Sequence, residues 1–205
     1  MQILRIYPSS INDRFIEQAV DVVKKGGVIV YPTDSLYAIA CDALNSAAIR
    51  RVCQIKGLNP QKNSLSIVCS DISQASEYAR IDNAAYSILR QFTPGPFTFI
   101  LPAATTLPKA FKGRREVGVR VPDNAIARAL AEALGNPLLS TSLPVGEMTE
   151  DEIVMPEEIA LLAQRIDVDL MIDGGEGDYR QSTIVDLTDS RDPRVVRDGK
   201  GDFDS

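Results

Sequence analysis

The chain has 205 residues, 44% of them hydrophobic, and a formal charge of −6. That is enough for one domain with a real core, and no stretch reaches the roughly 18 consecutive apolar residues that a membrane span needs. It contains no histidine, which excludes Ser-His-Asp and Cys-His triads, a histidine general base and the common His-containing zinc sites. Catalysis here must rest on positioning, Lys and Arg electrostatics, backbone N–H groups, carboxylates or a metal brought by the substrate. Those are the tools of phosphoryl and nucleotidyl chemistry.

The opening segment, MQILRIYPSS, is too short and too polar for a signal peptide. Apolar positions at Phe15, Ile16, Ala19, Val20, Val22 and Val23 predict a helix over 13–25, capped by Asn12 or Asp13 and stopped by Gly26-Gly27. GVIVY (27–31) is a short β-branched run, read as a buried strand, and PTDSLYAIAC after it as a loop. A short helix over 46–55 follows, then the loop KGLNPQKNS and a strand at 64–69. Two helices are expected at 73–80 and 82–92. The breaker Pro94-Gly95-Pro96 leads to a strand at 97–101, and a basic connector (109–118) to a strand at 118–122. Asp123 is expected to cap a helix over 124–134 that Gly135 closes, and LLSTS (138–142) is a strand running into the acidic stretch 147–158. That stretch reads as a surface loop entering a helix that starts at Pro156, with residues 147–155 a potential lid. VDLMID, TIVDL and RVVRDG complete the strands, some of them adjacent near the C-terminus. Helices and strands intermix without a repeat or a convincing linker. The expectation is a single domain over 1–205: an α/β fold with a twisted open sheet of mixed parallel and antiparallel strands and helices on its faces.

Charge is unevenly spread. Residues 1–144 hold 16 Lys and Arg against 11 Asp and Glu, and residues 145–205 hold 6 against 17. The first part attracts anions and the last repels them. Cys41, Cys53 and Cys69 are odd in number, sit in apolar contexts and have no C-x-x-C spacing. They read as buried thiols of a reducing, cytoplasmic compartment.

Several segments can carry chemistry. The loop after the 27–31 strand offers Thr33, Asp34, Ser35 and Tyr37, where open α/β sheets place ligand loops. Lys56 and Lys62 bracket a Gly/Asn/Pro loop that is not a Walker A motif. Arg120 lies inside an apolar strand, so it must bind an anion or an internal carboxylate. Ser140, Thr141 and Ser142 end a strand with three hydroxyls, and Ser182, Thr183 and Arg197 follow late in the chain.

Taken in order, GGVIVYPTDSLYAIAC, IKGLNPQKNSLSIV, TPGPFTFIL, GVRVP, LLSTS, STIVDL and VVRDG resemble the YrdC/YciO family of threonylcarbamoyl-AMP synthase-like proteins over residues 12–200. The P-T-D-[ST]-x-Y and P-G-P-x-T pieces are the specific ones. The resemblance implies a concave, positively charged sheet face. It also implies an activity that joins ATP, L-threonine and bicarbonate into threonylcarbamoyl-AMP and pyrophosphate, for the t⁶A modification of tRNA. By position, Thr33, Tyr37, Arg120, Thr141 and Ser182 match the threonine and bicarbonate side. Lys56, Lys62, Ser140, Ser142 and Arg197 match the nucleotide-phosphate side, Lys56 and Arg120 are the catalytic pair, and Mg²⁺ arrives with ATP, with no protein-held metal. Members are also described as double-stranded RNA binders, which would draw on Lys109, Lys112, Arg114 and Arg115.

Three positions depart from the synthase pattern. Where synthases show K-x-R, this chain has Lys56-Gly57-Leu58, and leucine cannot replace a bidentate phosphate clamp. Where they show S-x-N, it has Ser142-Leu143-Pro144, and proline removes both an amide side chain and a backbone N–H. Asn124 stands where a histidine is usual. These departures resemble the YciO branch.

Overall fold

The computed structural model describes residues 1–59, 66–104 and 114–204. Among these residues ten strands form one mixed sheet: β1 (Gln2–Arg5), β2 (Ile29–Tyr31), β3 (Ala38–Asp42), β4 (Ser66–Val68), β5 (Phe97–Pro102), β6 (Glu116–Arg120), β7 (Leu138–Ser142), β8 (Leu170–Asp173), β9 (Thr183–Asp186) and β10 (Arg194–Arg197). Their spatial order is β1-β8-β2-β3-β7-β4-β6-β5-β9-β10. Four pairs are parallel (β1/β8, β2/β8, β4/β6, β5/β9) and five antiparallel (β2/β3, β3/β7, β4/β7, β5/β6, β9/β10). The expected open sheet of mixed direction is therefore present.

The helices are α1 (Asp13–Lys24), α2 (Ser46–Lys56), α3 (Ile72–Ser76), α4 (Asn83–Phe92), α5 (Ala125–Leu134), α6 (Glu150–Val154) and α7 (Pro156–Arg165). Most begin where a side chain can satisfy an orphan N–H: Asn12, Asn45, Asp71, Asp82, Asn124 and Thr149 each accept from the first turn. Helix α2 ends on Gly57 at φ 68° and α5 on Gly135 at φ 80°, the left-handed stop that favours glycine. Helix α7 has no side-chain cap and starts on Pro156 instead, as its sequence predicts.

Four elements differ from expectation, and one of them is α3, which ends at Ser76 where a helix to residue 80 is expected. Nothing local marks strand β1, whose partner β8 lies near residue 170. Ala38–Asp42, a loop by its sequence, is a strand. Its small residues have weak strand preference, and antiparallel partners on both sides, β2 and β7, fix it there. The acidic stretch holds the separate helix α6, closed by a Thr149/Glu152 capping box. Strand β8 also lies far across the sheet from β9 and β10, between β1 and β2.

Each face of the sheet packs its own core. On one face, α2, α3, α4 and α7 bury Ile49, Val52, Leu89 and Ile159 against Ile39, Ile67, Val119, Phe99 and Leu139. On the other, α1 and α5 bury Ile16, Val20, Ile126 and Leu130 against Ile29, Tyr31, Val68 and Ile172. Helices α1 and α5 cover only part of that second face. Beyond them Ser140, Ser66 and Gly118 stand side by side across β7, β4 and β6. Side chains this small give a helix nothing to grip, and the face stays hollow. A Cβ on Gly118 would lie 2.5 Å from Ser66 Oγ and 3.2 Å from Thr98 Cγ2. Gly118→Ala is expected to cost about 1–3 kcal/mol through overpacking, read as a lowered urea midpoint with an unchanged m-value. An unaltered midpoint would refute the close fit.

Candidate ligand cleft

The hollow in the sheet is a cavity of about 190 Å³ over the strands from β3 to β9. Six of the ten expected residues line it: Arg120, Ser140, Thr141, Ser142, Ser182 and Arg197. Strand alternation explains part of the assembly. Arg120, Thr98 and Ile184 share one row across β6, β5 and β9, and all three line the cavity.

Arg120 resolves the alternative left open by its sequence context. Its Nη2 donates to Asp34 Oδ1 at 2.9 Å and to Ser35 Oγ at 3.0 Å. The side chains of Arg120 and Asp34 are only 11% and 6% exposed. Burial of both charges makes the pair expensive to break, about 3–5 kcal/mol when one partner is removed. The carboxylate is held from a second side by the Asp123 N–H, 2.7 Å from Oδ2. Arg120 Nε is buried with no hydrogen-bond partner among the described residues. Asp34 and Ser35 thus engage Nη2, and the guanidinium keeps hydrogen-bonding capacity beyond them.

Arg197 is the second guanidinium. Its Nη2 donates to the Ser182 carbonyl at 2.8 Å and to Ser182 Oγ at 3.3 Å, and among the described residues it forms no ion pair. Burial, with the positive charge of Arg120 adding to it, pulls its pKa below the ordinary arginine value. Two cations held close in a half-dry cleft are relieved by an anion. Ser182 Oγ shares a 2.9 Å hydrogen bond with Thr98 Oγ1. Ser140 Oγ shares one of 2.7 Å with Tyr31, whose phenol burial pushes up to about 12 and keeps protonated. Thr98 and Gln181 line the cavity without any mark in the sequence, and Tyr31 reaches it through Ser140. Strand register brings Thr98 there.

Lys56, at the end of α2, donates to Ser142 Oγ at 3.1 Å and to the Leu143 carbonyl at 3.0 Å. Burial lowers its pKa. The apolar residues Val52, Cys53 and Leu58 line the cavity as well, so no charge stands at position 58. All three cysteines are buried and free, with thiol pKa values raised by burial.

Thr33 and Tyr37 do not line the cavity. Thr33 Oγ1 donates to the Leu36 carbonyl at 2.8 Å and accepts from the Ser35 N–H at 3.0 Å, closing the turn that presents Asp34 and Ser35. Tyr37 is 1% exposed. Its hydroxyl donates to the Gly175 carbonyl at 2.7 Å and accepts from the Gly174 N–H at 3.1 Å. Its ring packs so closely on Gly177 that a Cβ there would lie 2.8 Å away. Both residues shape the loop beside the cleft. Asn124, rather than the expected Asp123, caps α5 through the Ala127 N–H, and Pro144 lies at a separate shallow groove with Met148 and Leu162. Lys62, Lys109 and Lys112 lie outside the described residues; Arg114 is half-buried and Arg115 exposed. The stretch 147–155 docks through the Val154 carbonyl, which accepts from the Gly177 N–H at 2.8 Å.

The loop and the cleft are joined by Asp178. Burial would raise its pKa, but the Arg180 N–H, Lys200 and the Arg180 guanidinium outweigh it and hold the carboxyl at about 2. The folded value lies below the ordinary 3.8, so the stabilisation is present above that value and is lost as pH falls through about 2. The stability gap between wild type and Asp178→Asn is expected to stay constant from neutral pH to about 4 and to close below it. Urea titrations across that range test this, and a gap that persists at the acid end would refute it.

A Sua5/YciO/YrdC family model, described as "Telomere recombination", matches residues 21–199. YciO of Escherichia coli strain K12 is 44% identical over 205 residues, covering 98% of this chain and 97% of YciO. The YciO crystal structure matches the fold with a TM-score of 0.88. Sua5 of P. abyssi, solved in complex with L-threonine, matches at a TM-score of 0.84 and 26% identity, over 97% of this chain and 58% of Sua5. Among the described residues no helix is long and apolar enough to cross a membrane. The arginine-lined hollow in a mixed ten-stranded sheet and these likenesses together establish that the chain belongs to the Sua5/YciO/YrdC family.

Proposed function

We propose that the cleft performs threonylcarbamoyl-AMP synthase-type chemistry at low rate: ATP, L-threonine and bicarbonate give threonylcarbamoyl-AMP and pyrophosphate. The observation that carries this reading is the convergence of Arg120 and Arg197 on one cavity with the hydroxyls of Ser182, Thr98 and Ser140. In a nucleotidyl transfer, negative charge develops on phosphate oxygens, and fixed guanidinium and hydroxyl donors stabilise it without a general base. The fold match to a Sua5 solved with L-threonine supports an amino-acid carboxylate as one occupant. Arg120, Thr141 and Ser182 would hold the threonine and bicarbonate side, with Thr33 and Tyr37 acting through the loop they shape. Arg197, Ser140, Ser142 and Lys56 would face the nucleotide phosphates. Mg²⁺ would enter bound to ATP, and the role would be cytoplasmic, in tRNA modification.

The low rate follows from two positions. Leu58 lines the cavity where a guanidinium would clamp phosphate, and Pro144 offers neither an amide side chain nor a backbone N–H. Losing two such contacts to a transition state costs about 10²–10⁴ in rate.

The test mixes the protein with ATP-Mg²⁺, L-threonine and bicarbonate and measures pyrophosphate and threonylcarbamoyl-AMP. Slow release requiring all three substrates is expected, abolished by Lys56→Ala and raised about tenfold or more by Leu58→Arg. No product above the protein-free control, with Lys56→Ala indistinguishable from wild type, would sink the reading.

A further inference from the structure

We infer that Lys200 is a positioning residue for the cleft, fixing Asp34 and through it the Arg120 guanidinium. Lys200 Nζ donates to the Asp34 carbonyl oxygen at 2.7 Å and pairs with Asp178 at 3.0 Å. The same Asp34 binds Arg120 through its carboxylate, and the next residue, Ser35, takes the guanidinium's other bond and lines the cavity. Lys200 thus holds the main chain of the residue whose side chain sets Arg120, without lining the cavity itself. A cation 166 residues further along the chain closes a relay from Asp178 to Arg120.

The segment carrying Lys200 stays in place without that side chain. Gly199 runs against residues 181–183, where a Cβ would lie 2.4 Å from the Gln181 carbonyl oxygen. The Lys200 N–H donates to that same oxygen at 2.8 Å, and Thr183 Oγ1 donates to the Gly201 carbonyl at 2.6 Å. The Phe203 ring packs 4.7 Å from that of Phe92. These anchors lie on both sides of Lys200. Removing its side chain therefore leaves the strap docked and withdraws one specific constraint: the ammonium that spans from Asp178 to the Asp34 carbonyl. Asp34 then has freedom to turn, and the guanidinium that it holds turns with it.

This inference rests on the cleft being the ligand site, as proposed above, but it has a readout of its own. In ¹⁵N-labelled full-length protein the buried Arg120 Nε–H gives a signal, assigned by its loss in Arg120→Lys. Lys200→Met is expected to move or broaden that signal and to weaken L-threonine binding, measured by calorimetry, about tenfold. Lys200→Arg keeps the charge and the donors and is expected to restore both. If Lys200→Met does not fold, Lys200→Gln, which keeps a donor but no charge, is measured in the same way. An Arg120 signal unchanged in the folded variant overturns the inference, as does Lys200→Arg being as impaired as Lys200→Met. If wild-type protein binds no L-threonine, the synthase reading fails while the Arg120 signal still decides the role of Lys200.

Discussion

A guanidinium that grows out of the middle of an apolar strand has to be neutralised. In this protein Asp34 does it, from a loop that lies 86 residues earlier. That requirement organises much of what surrounds the cleft. Thr33 closes a tight turn so that Asp34 and Ser35 face β6. The Asp123 N–H takes the second carboxylate oxygen. The Leu36 N–H donates to the Arg180 carbonyl at 3.2 Å, and Lys200 takes the Asp34 carbonyl. Segments from four parts of the chain converge there because a buried charge is costly until its hydrogen bonds are complete.

The pairing leaves the cleft with an excess of positive charge. Among the described residues, Asp34 neutralises Arg120 but leaves its Nε unpartnered, and Arg197 is held by the carbonyl and hydroxyl of Ser182. The hollow exists because a row of serine and glycine crosses three strands beyond the reach of α1 and α5. Small side chains make the space, and the arginines give it its sign. Lys56 adds a third cation at the end of β7, already bound to Ser142 and Leu143. Leu58 makes the neighbouring wall apolar, so the phosphate-facing side is the weaker half of the site.

Much of the fold was legible. Helix periodicity and capping residues marked α1, α2, α4, α5 and α7, and β-branched runs marked β2, β5 and β6. Strand β3 was not legible, because Ala38, Ala40 and Cys41 carry no strong strand preference and owe their conformation to partners on both sides. Of the site, the strand-borne residues Arg120, Ser140 and Ser142 were found because polar side chains inside buried strands are conspicuous. Tyr31 and Thr98 were missed because they also read as ordinary strand residues. Tyr37 was marked for its motif, and its hydroxyl turns out to be satisfied by Gly174 and Gly175. Asn124, notable in the sequence as a departure, serves as a helix cap.

By itself the sequence determined the chemistry that was available: no histidine, a basic first two thirds, and an arginine that needed a partner. It also determined the family, through short motifs in fixed order. Only the tertiary structure decided which carboxylate that partner is. It also decided that Ser182 and Arg197, from the acidic end of the chain, enter the same cavity as Ser140, and that Lys200 reaches back to Asp34. The physical reason is that these contacts depend on strand order and register. β9 pairs with β5 and β10 with β9 through long-range hydrogen bonding, and no local pattern of residues encodes that pairing.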